Sequence, residues 1–256
     1  MTETGKVPAV LARLWRLPSG PRLGRPAELD VDRVVRAAVD LADRDGLDGV
    51  TLLKVAQELG VTKMSLYRHV GSKGELFGLM ADFATGAPPE IDAPDWREGA
   101  RQWAHAHRDI YRRRPWMVHL PVSGPPGGPC AIGWMDALLR VLRGTGLDWA
   151  TKVSVLNLLG GYVRQASTVT QQLAEGRRDS GREQAEVEQD YGRSLIHLVD
   201  HERYPDAAGL FASSLFEAPP GAAAGDPDPG NREFGFGLEL ILDGLAATIA
   251  RVRPAG

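Results

Sequence analysis

Residues Thr51–Val70, TLLKVAQELGVTKMSLYRHV, decide how this chain is read. Thr51 is a capping residue, whose hydroxyl can accept from the N–H groups of a first helical turn. Leu52, Leu53, Ala56 and Leu59 then recur at helical spacing and mark an inward face. Ala56 is small, so a second helix can cross closely there. Gly60 suits the left-handed position that ends a helix. Val61 plugs the turn, Thr62 caps again, and a second helix reaches Val70 with Leu66 inward. This is the layout of a helix-turn-helix, whose second helix enters a DNA major groove.

The outward residues of that second helix suit the task. Lys63, Met64 and Ser65 fall in its first turn, nearest the groove floor. Lysine can donate to guanine O6 and N7, serine can bond either kind of base edge, and methionine can pack on a thymine methyl. Tyr67 and His69 lie further along, within reach of phosphates, which position a protein without conveying sequence. Beyond them, Ser72-Lys73-Gly74-Glu75 reads as a capping box in which Ser72 takes the Glu75 N–H and Glu75 bonds back. Lys73 at that positive helix end makes a phosphate clamp. An ordinary helical hairpin in an all-α enzyme would share the bare spacing, so the flanking residues carry weight.

Those flanks are specific. Val34-Val35-Arg36-Ala37-Ala38, Leu41-Ala42, Gly46-Leu47-Asp48, Val55-Ala56-Gln57-Glu58-Leu59-Gly60-Val61, Met64-Ser65-Leu66-Tyr67-Arg68-His69-Val70 and Lys73-Gly74-Glu75-Leu76 follow one another between Asp30 and Phe83. This run resembles the DNA-binding domain of the tetracycline-repressor (TetR) family of transcriptional regulators. The resemblance implies backbone contacts from Thr51, Thr62, Tyr67, His69 and Lys73, and base contacts from Lys63, Met64 and Ser65. Gly71-Ser72 departs from the Pro-Asn or Lys-Asn common in relatives, but Ser72 can still cap the next helix. A looser likeness covers residues 95–252. Trp96 to Arg143, with RRRPWMVHL and GPPGGP, and Phe234-Gly235-Phe236-Gly237-Leu238 to Gly244-Leu245 resemble a tetracycline-repressor-type C-terminal domain. It implies a homodimer built on a four-helix bundle.

Composition agrees with a globular protein. The chain has 256 residues, 43% hydrophobic and 25% charged, with no stretch of the roughly 18 apolar residues that a membrane span needs. MTETGKVPAVLARLW lacks the pattern of a secretory signal. Cys130 is the only cysteine, which excludes intramolecular disulfides and cysteine metal clusters and fits a reducing, cytoplasmic setting. Residues 1–73 carry 12 Lys+Arg against 9 Asp+Glu, and the remainder 18 against 24. A basic first part on an acidic remainder suits a DNA-binding head on a regulatory body.

In chain order, residues 1–29 mix arginines with Pro and Gly and read as a flexible basic arm. Within it, Leu11, Leu14, Trp15 and Leu17 can make one short helical turn docked on the body. Arg22-Leu23-Gly24-Arg25-Pro26 can enter a minor groove, or contribute only diffuse charge. Asp30 caps a first long helix that Gly46 stops. Residues 30–84 are thus a DNA-binding domain, and TGAPPEIDAP (85–94) is a break. Residues 95–253 form a helical ligand-binding and dimerisation domain. Asp95 and Glu98 open a helix that ends at Arg112-Arg113-Arg114; the arginines are either a second DNA contact or, more simply, a solvated helix end. PVSGPPGGP (121–129) is a loop, and helices are expected from Ile132, Trp149, Tyr191, Pro205 and Asn231. Residues 218–230 are low-complexity and flexible. No strand pattern survives, so the fold class is all-α.

An enzyme would need a constellation that is not evident. His105 and His107 fall on different helix faces; His197 and His201 share a face with Glu202 nearby and could hold a metal, but such pairs are usually surface or interface residues. There is no Gly-x-Ser-x-Gly, Walker loop or dinucleotide fingerprint, so no catalytic residue, metal or cofactor is expected. The expectation is a transcriptional regulator, a repressor released from palindromic double-stranded operator DNA by a small molecule. An activator or ligand-independent regulator of the same fold is the alternative, and an all-α enzyme or partner-binding module the more distant one. The dimer should form through the helix after Trp149 and the apolar stripe Phe234, Leu238, Ile241, Leu242, Leu245, Ile249 and Val252. The effector should lie between the helices from Trp96, Ile132 and Trp149. Trp103, His107, Tyr111, Trp116, Trp134, Asn157 and Gln165 offer the apolar walls with few polar groups that such sites use.

Overall fold

A computed structural model describes residues 7–18, 29–122, 124–180, 184–216 and 229–252. Among these every regular element is helical. The chain forms two compact units, Met1–Thr168 with Leu238–Gly256, and Val169–Gly237.

Local capping sets the helices of the first unit. After a short helix α1 (Ala9–Leu14), Asp30 accepts from the Arg33 N–H at 2.7 Å and opens α2 (Val31–Asp45). Gly46 ends it with φ 72°, a conformation that costs any other residue. Thr51 opens α3 (Leu52–Glu58) by accepting from Lys54 N, and Thr62 opens α4 (Lys63–Val70) by accepting from Ser65 N, both at 3.2 Å. Gly60 between them has φ 65°. Ser72 opens α5 (Lys73–Thr85). Val34, Val35, Ala38, Val39, Leu66, Val70, Leu76 and Met80 are all buried, so α2, α4 and α5 close on one apolar core. The inward face of α3 is Leu52, Val55 and Ala56, while Leu53 is 57% exposed. Leu53 directly follows Leu52, and a 100° step carries it off the buried face.

Asp95 accepts from Glu98 N at 2.9 Å and opens α6 (Trp96–Arg113). Helix α7 (Pro129–Val141) starts three residues before the expected Ile132, because a carboxylate from elsewhere caps it. Asp82 of α5 accepts from Ala131 N at 2.9 Å and Cys130 N at 3.4 Å. Proline is tolerated at its first position, where no partner for an N–H is needed. Helix α8 (Trp149–Ser180) continues past Leu173 and runs on into the second unit. Helix α11 (Pro229–Val252) ends the described chain. Within the first unit it is tied to α6 by Arg97 and Arg101, which reach Glu239 at 2.8 and 2.7 Å, and by Arg97 to Asp243. Hydrogen bonds from Arg101 and then Arg97 hold the Glu239 carboxyl below the usual range.

In the second unit, α9 (Gln184–Leu198) and α10 (Pro205–Phe211) pack together, with the Tyr191 and Phe211 rings edge to face at 5.7 Å.

Three expectations are corrected here. The arm is not flexible throughout: residues 7–18 hold α1, the short turn expected around Leu11 and Leu14, and it packs on α5. Glu75 does not bond back to its cap; its carboxylate takes Arg13 Nη2 at 2.7 Å and Nε at 3.1 Å. The stripe on α11 is not left for a partner. Leu238, Leu242, Leu245 and Ile249 are buried within the protomer. The Arg22–Pro26 piece and residues 218–228 lie outside the described residues.

Candidate nucleic-acid interface and ligand cavity

The helix-turn-helix presents its outward residues on a fixed base. Leu66 and Val70 bury one side of α4, and the Thr62 cap fixes its start. On the other side Lys63 is exposed, Met64 is 69% exposed and Ser65 is half-buried. Tyr67 is exposed one turn on, with the Lys63 ammonium 5.8 Å from its ring centre. His69 is half-buried near the end of the helix. Gly71, with φ 73°, turns the chain so that Lys73 begins α5, where its ammonium sits 5.0 Å from the Phe77 ring. Thr51, Thr62 and Lys73 therefore stand at the N-terminal ends of three successive helices, where unpaired N–H groups and the positive dipole end favour phosphate. A helix whose first turn is exposed and polar, and whose flanks offer phosphate donors, has the arrangement that reads base edges from a major groove.

The expected ligand residues divide into three groups. Trp103, His107, Tyr111 and Trp134 come together: His107 lies 4.8 Å from Trp103, 5.0 Å from Trp134 in a stacked contact, and 5.7 Å from Tyr111, ring centre to ring centre. Both indoles are committed, Trp103 Nε1 to the Trp134 carbonyl and Trp134 Nε1 to the Gly86 carbonyl, each at 3.0 Å. His107 Nδ1 is shut from solvent and has no hydrogen-bond partner. Burial pushes the imidazole pKa down to about 4, so the ring is neutral and Nδ1 is an unmet polar atom. Trp116 is not part of this cluster. Its Nε1 donates to Asp43 Oδ1 at 2.6 Å, joining the end of α6 to α2. Asn157 and Gln165 are exposed on the outward face of α8, because Val155, Leu159 and Val163 take the inward face.

The free space lies on the other side of Tyr111. A cleft of about 670 Å³ runs between α1, α5 and the 117–128 segment. Its walls are mostly apolar, with Leu11, Leu14, Leu79, Met117 and Leu120 prominent. Its polar lining includes Tyr111, Arg164, Asp82, Arg13 and Glu75. Arg164 donates to the carbonyls of Leu120 (2.6 Å) and Val118 (3.2 Å) and so holds that segment against α8. Burial pushes the Tyr111 phenol up, with Arg164 acting against it, so the hydroxyl stays protonated and can donate. Arg164 and Leu11 escaped the sequence reading, since neither their spacing nor their type marks a wall between segments far apart in the chain.

Several side-chain joints link the helix-turn-helix to the rest of this unit. Asp43 accepts from Trp116 and, at 3.2 Å, from Arg114, whose Nη1 also donates to the Ala84 carbonyl. The last of the three arginines is therefore a joint rather than a solvated cap. Asp82 caps α7. Arg13 pairs with Glu75.

These features define a DNA-binding regulator with a helical ligand domain. Residues 34–80 match the family described as bacterial regulatory proteins, tetR family, and residues 88–249 match the tetracyclin repressor-like C-terminal domain. The chain belongs to the TetR family of transcription regulators. It is 34% identical to the HTH-type transcriptional repressor DrrR1 of Streptomyces coeruleorubidus, over 98% of this chain and 91% of that one. It is 29% identical to the tetracycline repressor protein class A from transposon 1721 of Escherichia coli, over 86% and 91% of the two chains. Among solved structures, the TetR family protein ActR of Streptomyces coelicolor in complex with actinorhodin superposes with a TM-score of 0.69 at 26% identity, over 87% and 98%. No described helix is long and apolar enough to cross a membrane.

Proposed function

We propose that this protein is a cytoplasmic, homodimeric repressor that a small molecule releases from a near-palindromic operator. Residues 30–84 form the DNA-binding domain, residues 95–253 the ligand and dimer domain, and residues 1–29 a basic arm. Lys63, Met64 and Ser65 read bases, while Thr51, Thr62, Tyr67, His69 and Lys73 hold phosphates. The observation that carries the reading is the exposed first turn of α4 on a capped helix whose other side is sealed in the core. Two such helices, roughly one DNA turn apart, would fit two half-sites.

The effector occupies the cleft lined by Tyr111 and Arg164, with His107 behind Tyr111 as an unmet hydrogen-bonding group. Trp103 and Trp134 pack the wall behind it. Mostly apolar walls with a few convergent polar groups suit a largely apolar molecule with a hydrogen-bonding edge. The similarity to ActR, solved with actinorhodin, supports a small-molecule effector. In the first unit, α8 turns Leu158 and Gly161 to solvent beside Asn157 and Gln165, and α11 turns out Leu240, Gly244 and Ala247. Small residues among apolar ones on outward helix faces suit close helix packing, so these faces form the dimer contact.

Selection of DNA from a random pool with the full-length protein tests the reading. A palindromic site bound by a dimer, released by compounds found in a screen, is the expected result. Recovery of no preferred sequence by a well-folded dimer would remove the regulator reading in favour of another partner.

A further inference from the structure

We propose that α1 is the sensing wall of the cleft: a ligand resting on Leu11 and Leu14 shifts Arg13 and Arg16, and so acts directly on the DNA-binding helices. The inference rests on the cleft being the effector site.

One side of this short helix faces the space and the other is pinned. Val10, Leu11 and Leu14 line the cleft. Trp15 Nε1 donates to the Gly127 carbonyl across it at 2.7 Å. A methyl group added at Gly127 would stand 2.8 Å from Leu11 Cδ2, so the helix and the far rim are in contact already. No residue of α1 is fully buried, so the helix contributes little core and its position is set by these few contacts.

The same helix grips the head at two points. Arg16 Nε lies 2.7 Å from Asp32 in the first turn of α2. Arg13 pairs with Glu75 in the first turn of α5, at 2.7 Å. Arg13 also lies against the turn that follows the recognition helix, because a methyl group added at Gly71 would meet its Nη2 at 2.5 Å. Glu75 is two residues from Lys73, in the first turn of a helix whose N-terminal end favours anions. While Arg13 covers Glu75, the carboxylate is neutralised. A ligand that draws α1 away uncovers a negative charge beside a phosphate-binding lysine, and operator affinity falls. Through linkage, operator binding must then weaken ligand binding by the same factor.

The test uses the full-length dimer, its selected operator, and 1-anilinonaphthalene-8-sulfonate as probe, an apolar anion that fluoresces in such clefts. Gly78 of α5 lines the cleft and has open space around an added methyl, so Gly78→Leu should block the probe and establish where it binds. In the unaltered protein the probe should weaken operator binding. Arg13→Glu should hold the operator about tenfold more weakly, with saturating probe then having no further effect; because Arg13 itself lines the cleft, saturation is set from that variant's own probe titration. Pairing it with Glu75→Arg should restore both operator affinity and response. Leu14→Asp should weaken the probe about tenfold through the wall alone. Should Arg13→Glu respond to the probe as the unaltered chain does, α1 is not the sensor and the effector reading stands. Should the probe fill the cleft of the unaltered chain without weakening operator binding, the effector reading fails and the sensing wall with it. Arg13→Gln, which removes the cation without adding repulsion, gives the same comparison if the reversed charge disturbs folding.

Discussion

The helix-turn-helix head and the α6–α8 body solve opposite problems with the same element. In the head, four helices in succession begin on a side-chain cap, Asp30, Thr51, Thr62 and Ser72, and the core beneath is wholly aliphatic. Nothing polar is stranded there among the described residues. In the body, aromatic rings crowd His107, a ring nitrogen goes without a partner, and a cleft stays open beside Tyr111. A reader of DNA must offer one rigid surface, so it gains from complete satisfaction. A receptor must keep something unsatisfied for its ligand to complete, at a cost to its own stability.

The largest break in that contrast comes from α11, where neighbouring leucines differ in kind. Leu242 is fully buried, and Leu240 is 59% exposed. Leu242→Glu places a charge in the core and should cost at least about 4 kcal/mol, enough to unfold the body. Leu240→Glu should leave the melting temperature of the protomer unchanged and shift sedimentation from dimer to monomer. A dimeric Leu240→Glu protein would move the interface elsewhere.

Next in size is the titration of His107. The unfolded imidazole takes up a proton near its ordinary value of 6.5, whereas the buried ring does so only near 4. Between those values protons favour the unfolded chain. Stability from this group is complete above pH 6.5 and is lost as the pH falls towards 4. The loss is on the order of 3 kcal/mol. Denaturant titrations at pH 7 and pH 4, compared between the unaltered protein and His107→Phe, isolate it from other groups. Equal losses in the two proteins would mean that His107 is charged or solvated in the folded state.

The contrast also governs what the sequence reveals. Caps and left-handed glycines act over three or four residues, so Asp30, Gly46, Thr51, Gly60, Thr62, Ser72 and Asp95 were all readable in place. So was the exposed first turn of α4. The clustering of Trp103, His107 and Tyr111 was readable as spacing on α6. The cleft was not, because its walls come from α1, α5 and Arg164 in three distant segments. Nor could spacing say that Asp43 holds Trp116, that Asp82 caps α7, or that Glu75 prefers Arg13 to its own cap. The stripe on α11 was visible, but periodicity shows an apolar face without saying what covers it.

On the head's outward surface the effects should be smaller and of two kinds. Lys63→Ala and Ser65→Ala should relax preference at particular base pairs, by about 1–3 kcal/mol where a contact is bidentate. Lys73→Ala should weaken all DNA alike and reduce the slope of log affinity against log salt by about one. A uniform loss for all three, measured on the selected site and on unrelated DNA, would mean that α4 does not read sequence.

The smallest expected change sharpens the contrast most. Thr62 and Asp95 make the same bond, a side-chain oxygen accepting from the N–H three residues on, at 3.2 and 2.9 Å. Replacing either by alanine strands that N–H and should cost about 1 kcal/mol. The consequences should differ because the helices differ in purpose. On the proposed reading the N-terminal turn of α4 reaches the bases, and a frayed backbone there would carry Lys63, Met64 and Ser65 out of register. Thr62→Ala should therefore lower the melting temperature slightly and also lose affinity for the selected site, more than for unrelated DNA. The start of α6 is the end opposite Arg114, which meets α2, and it is braced by the Arg97 and Arg101 pairs to Glu239. Asp95→Ala should lower the melting temperature by a similar amount and leave DNA binding as it was. If the two variants lost operator affinity equally, the head would be responding to the stability of the whole unit, and its rigidity would not be its own.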